Sequence, residues 1–229
     1  MPVPILFSDD RLVVVNKPAG LIVHRGWAQD REVLMTLVRD LVDRYVYPVH
    51  RLDRGASGVV LFALDRQMAS ELGRAQQERR IHKRYLALVR GRPSDSGVIE
   101  SPLAADKHSE PKPARTSYRR IETVGRYSLV EAIPHTGRLH QIRRHLKRLS
   151  CPLIGDVRYG KGEHNRVFRS QHGLHRLALH AHSLSFEHPD TGEQLRVQAA
   201  LPSELDEALS SAGFSAHCSE PSASAGSKP

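Results

Sequence analysis

The sequence predicts an α+β fold: one domain in which a mixed, mainly antiparallel sheet is flanked by helices. Three observations lead there. Short runs rich in β-branched residues recur along the chain, with Pro- and Gly-containing turns between them. Between some of these runs lie segments whose apolar residues recur at helical spacing. The chain has 229 residues, no internal repeat and no convincing linker, so it is long enough to bury one substantial core.

Residues 3–7 and 12–16 are short β-rich runs, and Pro18 and Gly20 stop any helix in the turn that follows. Over 32–46, Val33, Leu34, Leu37, Val38, Leu41, Val42 and Tyr45 fall at helical spacing, which predicts an amphipathic helix with one buried face. Residues 58–64, GVVLFAL, form a continuous apolar run of strand length. Asp65 stands where an N-cap is needed for a helix running to Arg80. Residues 81–91 read as a strand, ended by Gly91 and Pro93, and further strands are expected at 97–100, 114–123 and 127–133. Over 137–150, Leu139, Ile142, Leu146 and Leu149 mark the core side of a helix. Arg144, Lys147 and Arg148 fall largely elsewhere on it. Residues 155–176 show no period and predict an irregular segment. Residues 182–199 read as a β-hairpin turning at Pro189, Asp190 and Gly192, and a short helix is expected over 202–209. From 213 the composition becomes Ser/Ala/Gly-rich, which predicts a disordered tail over 213–229.

Composition excludes several classes. Apolar residues make up 39% and charged residues 26%, the balance of a globular chain. No run approaches the ~20 apolar residues of a membrane span. The opening MPVPILFSDD lacks a basic n-region, so no secretory signal is expected. Two cysteines, Cys151 and Cys218, cannot build a disulfide framework, and a cytoplasmic location is expected. The net charge is +9. Residues 66–92 carry eight Lys/Arg against two acids, and residues 134–180 carry ten against two. Those two windows exceed the whole chain's excess, so the remainder is net acidic. Basic surface over such a scaffold suits a polyanion. An arginine-rich composition without a specific partner accounts for the same numbers.

Three segments could carry chemistry. HRLDRGASG, 50–58, places Asp53 between Arg51 and Arg54 with small residues after it. Small residues let a ligand approach the backbone, and the arginines favour an ionised carboxylate that can act as nucleophile or base. The commoner reading of such a stretch is a turn with a surface Asp–Arg pair. TGRLHQIRRH, 136–145, puts Arg138, His140, Gln141 and Arg143 at the start of the expected helix. Arg143 borders the apolar stripe, and an inward-facing arginine requires an acidic partner. Arg144, Lys147 and Arg148 are placed to face phosphates, or simply form a solvated basic face. In HKRYLALVRG, 82–91, Tyr85 stands within a basic strand, where it can stack on a base or fill the core. His172 with His175, and His180 with His182, raise the question of a metal. No HExxH, no paired CxxC and no Gly-rich phosphate loop accompanies them.

Taken together, these segments resemble the RluA-type pseudouridine synthases over almost the whole chain, from about Ile5 to Leu201. NKPAGLIVH (16–24), HRLDRGASG, KRYLALVRG, KPARTSYRR, TGRLHQIRRH and GDVRYG appear in the family's order, and RLALHA completes the set. One departure is Ala56, where the family's central motif usually has Thr. The resemblance assigns residues 1–212 to a catalytic domain that converts uridine in RNA to pseudouridine, without metal or cofactor. It implies that Asp53 is the catalytic aspartate, that Arg143 pairs with it, and that Tyr85 packs on the target base and assists proton removal. It implies that Arg51 occupies the space left by a flipped base and that Leu179 is an apolar wall position. His50 and Arg138 join them as residues expected at the RNA.

The chemistry fits that reading. The N-glycosidic bond breaks, the uracil turns and rejoins through C5, and no redox or phosphoryl step is required. One carboxylate can suffice, where glycosidases commonly use two and admit water. Attack on the sugar C1′, attack on uracil C6 and removal of a sugar proton all remain open to Asp53. No separate N-terminal RNA-binding module is expected ahead of the catalytic domain. Residues 160–181, VHRGW (23–27) and 143–156 resemble the subgroup that acts on tRNA at position 65. Lys161, Arg166, Arg169 and Arg176 are expected to grip an RNA stem there, or to be merely solvated. A ribosomal-RNA target is the alternative substrate, and no membrane or obligate protein partner is implied. The competing readings are a catalytically silent RNA-binding protein on the same fold and a zinc hydrolase built on the histidines.

Overall fold

The apolar run of the fourth strand explains the architecture around it. The computed structural model describes residues 3–25, 32–106 and 108–215. Within it, β1 (Ile5–Ser8), β2 (Leu12–Lys17), β3 (Tyr47–Pro48) and β4 (Ser57–Ala63) come first. Every residue of β4 is buried. Val60 and Phe62 pack into one apolar cluster, and Val59, Leu61 and Ala63 into another. Alternate residues of a strand point to opposite faces, so β4 is covered on both sides. β2 pairs with it antiparallel and divides the same way, Val13 and Val15 facing one cluster and Leu12 and Val14 the other.

The remaining strands are β5 (His82–Arg90), β6 (Ser96–Glu100), β7 (Arg115–Val124), β8 (Tyr127–Pro134), β9 (Leu179–Glu187) and β10 (Gln194–Gln198). They form one sheet in the order β1-β2-β4-β9-β5-β8-β7-β6, with β10 beside β9 and β3 beside β4. Among the described residues only the β4–β9 pairing is parallel. At that junction Gly58 has a φ of +113°, and a Cβ there would lie 2.2 Å from the Ala181 carbonyl oxygen. No other residue fits, and the close approach brings β9 against the loop that ends in β4.

Among the described residues five helices flank the sheet: α1 (Leu34–Val42), α2 (Arg66–Gln77), α3 (Gln141–Arg148), α4 (Gly162–His172) and α5 (Ser203–Ser211). The expected Asp65 cap is present, its carboxylate accepting the Met68 N–H at 2.9 Å. Met68, Leu72 and Ala75 bury the inner face of α2.

Some sequence expectations are corrected. The helix expected over 32–46 is shorter, ending where Asp43 turns left-handed at φ 49°, so Leu41 and Tyr45 are exposed. The helix expected from 137 begins at Gln141. His140 is left-handed, and the Gln141 side chain binds the preceding loop, accepting from the Arg138 N–H and the Thr136 hydroxyl. Its amide donates to the Arg115 carbonyl and the Thr116 hydroxyl, stapling the loop to β7. Ile142 and Leu146 are buried as expected, but Leu139 and Leu149 are not. The segment 155–176 contains α4. Its buried face is His164, Asn165 and Phe168, so no apolar period announces it. The hairpin strand begins at Leu179, earlier than expected. Phe214 is buried against the cluster formed by Leu88, Leu129, Phe168 and α5, so packed structure continues past 212. Residues 216–229 and, in the VHRGW motif, Gly26 and Trp27 lie outside the described residues.

Phe168 has no exposed surface and joins α4 to the sheet and α5. Phe168→Ala is expected to lower the unfolding free energy by about 3–5 kcal/mol, measured by urea denaturation. A change below about 1 kcal/mol would mean that α4 is not part of the cooperative core.

Candidate active site

Asp53 sits in the loop between β3 and β4, and the chain fixes this loop from below. The Ala56 N–H donates to the Asp53 carbonyl at 3.1 Å, closing a turn. The Gly20 N–H donates to the Arg54 carbonyl at 2.8 Å. Lys17, with no exposed surface, donates to the Pro18 carbonyl at 2.8 Å, to Leu21 at 2.6 Å and to Arg54 at 3.4 Å. Burial, reinforced by the nearby Arg176 charge, brings the Lys17 ammonium down to about 7. The NKPAG segment is thus the floor on which the Asp53 loop rests.

The Asp53 side chain meets Arg143, which α3 directs inward. Arg143 Nη1 donates to Asp53 Oδ2 at 2.8 Å. The same guanidinium donates from Nε to Asp156 Oδ2 at 2.7 Å and from Nη2 to Asp156 Oδ1 at 2.9 Å. One cation therefore serves two carboxylates, bidentately on Asp156 and singly on Asp53. The Asp156 side chain is fully buried, whereas Asp53 keeps 22% exposure. Burial alone raises an aspartate, but here it is outweighed by hydrogen bonds from Arg143 and from the Tyr159 and Arg158 N–H groups, so Asp156 lies below its ordinary value. Burial would likewise lower Arg143, yet its two carboxylates hold it above the ordinary arginine value.

Helix α4 supports this pair from behind. Asn165 donates to the Asp156 carbonyl at 3.0 Å and accepts the Gly155 N–H at 2.8 Å. Gly155 has a φ of +75°, and a Cβ there would lie 1.8 Å from the Arg176 carbonyl oxygen. On β9's approach, Arg176 donates to the Ser57 hydroxyl at 2.8 Å, and that hydroxyl is 2.8 Å from His180 Nδ1. His180 Nε2 is 3.1 Å from the Ala199 carbonyl, so both of its ring nitrogens are engaged within the fold.

A cleft of about 980 Å³ opens over Asp53. Tyr85, Leu179, Ile142 and Ala56, all buried, give it an apolar wall. Tyr85 belongs to β5, between Ala132 of β8 and Ala181 of β9. Burial, and then the Asp53 charge, push its phenol above the ordinary value. Arg51 stands exposed at the mouth, donating to His24 Nε2 at 3.0 Å. His50 accepts the Leu61 N–H at 3.3 Å, and burial, with the Lys83 charge, lowers its imidazole well below 6.5. Arg138 lines the rim and donates to the Pro113 carbonyl. His140 also lines the cleft, with Nε2 3.9 Å from Asp53 Oδ1 and Nδ1 3.1 Å from the Tyr159 hydroxyl.

The structure thus brings Asp53, Tyr85, Arg143, Arg51, His50, Leu179 and Arg138 to one cleft. The other expected RNA contacts lie outside it. Arg144 donates to the Ala104 carbonyl at 2.7 Å, and Lys147 and Arg148 are exposed on α3. Arg166 and Arg169 are on the exposed face of α4. Sequence reasoning missed Lys17, Asp156 and Asn165 as parts of this constellation, and named His140 within a candidate segment without giving it a role. Lys17 and Asp156 lie within quoted motifs, but Lys17 binds backbone carbonyls, which no residue type announces, and Asp156 meets Arg143 across the turn that follows α3.

Residues 11–148 match a family model described as RNA pseudouridylate synthase. Over 223 residues the chain is 42% identical to tRNA pseudouridine synthase C of Haemophilus ducreyi, covering 88% of this chain and 92% of that protein. It is 41% identical over 233 residues to tRNA pseudouridine synthase C of Salmonella typhimurium, covering 92% and 90%. Among solved structures it is similar to human RNA pseudouridylate synthase domain containing 4. That match has a TM-score of 0.76 and 28% identity, and covers 91% of this chain and 92% of that one.

Asp156→Asn leaves a buried guanidinium with one carboxylate in place of two. The variant is expected to be destabilised at neutral pH by about 3 kcal/mol in urea denaturation. Because the folded-state value of Asp156 is depressed, its contribution is complete above the ordinary 3.8 and is lost as pH falls through the lower folded value. The gap between parent and variant should therefore close on acidification below 3.8. A gap independent of pH would place the loss outside this ion pair.

Proposed function

We propose, from the premise that the chain belongs to the RluA-type family of RNA pseudouridine synthases and so isomerises uridine in RNA, that its substrate is a tRNA and its target the uridine at position 65. Similarity to proteins named tRNA pseudouridine synthase C across about nine-tenths of both chains supports tRNA as the substrate class. The observation that carries the mechanism is the Asp53 carboxylate, oriented by Arg143 at the foot of a cleft with an apolar wall. In this reading Asp53 is the catalytic carboxylate.

The target base leaves the helix to reach Asp53, at a cost of a few kcal/mol. Exposed cations around the cleft, Arg51 and Arg138 among them, offset that cost through contacts with phosphates and the vacated stack. Inside, Tyr85 packs on the uracil, and Leu179 and Ile142 limit water beside the reacting atoms. Exclusion of water matters because the detached uracil must rejoin the ribose rather than leave. Lys147, Arg148, Arg166 and Arg169 extend a basic surface away from the cleft, suited to the adjoining stem. The work of such an enzyme belongs in the cytoplasm with its tRNA, and no described helix is long and apolar enough to cross a membrane.

Pseudouridine mapping on unmodified tRNA transcripts, with ribosomal RNA in parallel, tests the reading. The expected result is one new pseudouridine at the junction of the T and acceptor stems. Asp53→Asn should fold and bind the transcript but yield no product. Product in ribosomal RNA alone would overturn the proposed substrate. Unchanged product with Asp53→Asn would overturn the role of the aspartate.

A further inference from the structure

The isomerisation moves a proton as well as a bond. In uridine C5 carries a hydrogen and N1 is bonded to C1′; in pseudouridine C5 is bonded to C1′ and N1 carries the hydrogen. After the C1′–C5 bond forms, C5 still holds its proton. The C5–H bond must break, its electron pair restoring the C5–C6 double bond, while N1 takes up a proton. A base is needed within reach of C5, which at that moment is bonded to the ribose carbon beside Asp53.

We infer that His140 is this base, accepting the C5 proton at Nε2 and returning a proton to N1, directly or through water. The inference rests on the isomerase reading above. Four observations carry it. His140 lines the cleft over Asp53, and its Nε2 lies 3.9 Å from Asp53 Oδ1, longer than a hydrogen bond. Its other nitrogen is 3.1 Å from the Tyr159 hydroxyl, which can accept from Nδ1–H and leave the Nε2 lone pair facing the cleft. The Tyr159 ring is itself held among the Arg143 and Arg158 guanidinium groups and Lys147. Finally, His140 occupies a left-handed backbone position, φ 52°, immediately before α3, a conformation that carries some cost for a residue other than glycine.

Charge supports the assignment. Burial lowers His140 below 6.5; Asp53 opposes that and Arg143 and Arg158 reinforce it, with Asp156 a smaller opposing charge. The imidazole is therefore neutral at pH 7 and able to accept. Tyr85, the other cleft residue placed on the base, is pushed the opposite way and remains a phenol, without the phenolate that acceptance would require. Asp53 Oδ2 is engaged by Arg143 Nη1, and Asp53 already serves as the carboxylate at the ribose in the proposed function.

Single-turnover pseudouridine formation on tRNA transcripts made with 5-protio or 5-deuterio uridine tests the role. His140→Asn keeps a residue tolerant of the left-handed turn but removes the proton acceptor. Its rate is expected to fall roughly 100-fold or more, with an isotope effect rising above about 2 as C5–H cleavage becomes limiting. The affinity for the transcript should stay within a factor of about 3. In His140→Gly, added imidazole should restore part of the rate. Tyr85→Phe should leave the isotope effect at its wild-type value. Slowing of His140→Asn without a larger isotope effect, and without imidazole rescue of His140→Gly, would make His140 structural and overturn the inference. A larger isotope effect confined to Tyr85→Phe would transfer the role to the tyrosine. Wild-type product on the same transcripts separates the two levels: its absence overturns the proposed substrate, whereas its presence with an isotope effect unaltered by His140→Asn overturns only this assignment.

Discussion

One guanidinium shared by two carboxylates organises the site. Arg143 is buried, and a buried cation without an acidic partner would be strongly destabilising. Asp156 meets that requirement bidentately and from full burial, so the guanidinium plane is set before any substrate arrives. Of the N–H donors left over, one on Nη1 is thereby directed at Asp53. The two aspartates consequently have different work. Asp156 is locked by Arg143 and two backbone N–H groups, while Asp53 keeps enough exposure to meet a ligand. A single Arg–Asp pair would fix the distance between partners but leave more rotation about it.

The fold supplies the three elements of that arrangement from distant parts of the chain. Its parallel strand junction is where β9 comes closest to the end of the Asp53 loop, and only glycine at 58 allows it. A second forced glycine, Gly155, seats the Asp156 turn on the Arg176 carbonyl. Lys17 holds the Asp53 loop from the other side through three carbonyls. Side-chain hydrogen bonds from Asn165 and Gln141 then fix the loops on either side of α3. Little of this is apolar packing. It is backbone proximity made possible by absent side chains, closed by polar groups that find partners.

That explains what could be read from the sequence. β4 is legible because an apolar run must be buried, and α2 because Asp65 offers a cap that needs nothing distant. Asp53, Tyr85 and Arg143 are legible through motifs. Helix α4 was hidden because two of its three buried residues are His164 and Asn165, which no hydrophobic pattern can report. The start of α3 was misplaced because Leu139 continues the apolar period, whereas the chain there obeys the Gln141 side chain and its partners on β7. Asp156 belongs to a recognised motif, yet its pairing with Arg143 appears only once the loop after α3 folds back on that helix, with Asn165 of α4 holding it. Local propensity is a property of neighbours in sequence; the missing information lay in neighbours in space.

The distribution of charge inside the cleft follows from the same economy of partners. The chain is strongly basic, but its exposed cations stand at the rim and beyond. Inside, burial drives the titratable groups toward their neutral forms: His50 and His140 downward, Tyr85 upward, and Lys83 down to about 8. Beneath them the Asp53–Arg143–Asp156 group holds one cation between two carboxylates within hydrogen-bonding distance, with one negative charge in excess. On the proposed mechanism an RNA backbone is attracted at the surface while the base enters a cavity whose fixed charge is concentrated at the Asp53–Arg143–Asp156 group. For a reaction that is neutral overall and exchanges one glycosidic bond and one proton within the same nucleotide, this is the suitable electrostatic setting. In the proposed reaction the fixed negative group meets the developing charge on the ribose, and neutral groups beside it exchange a proton without a large change in solvation.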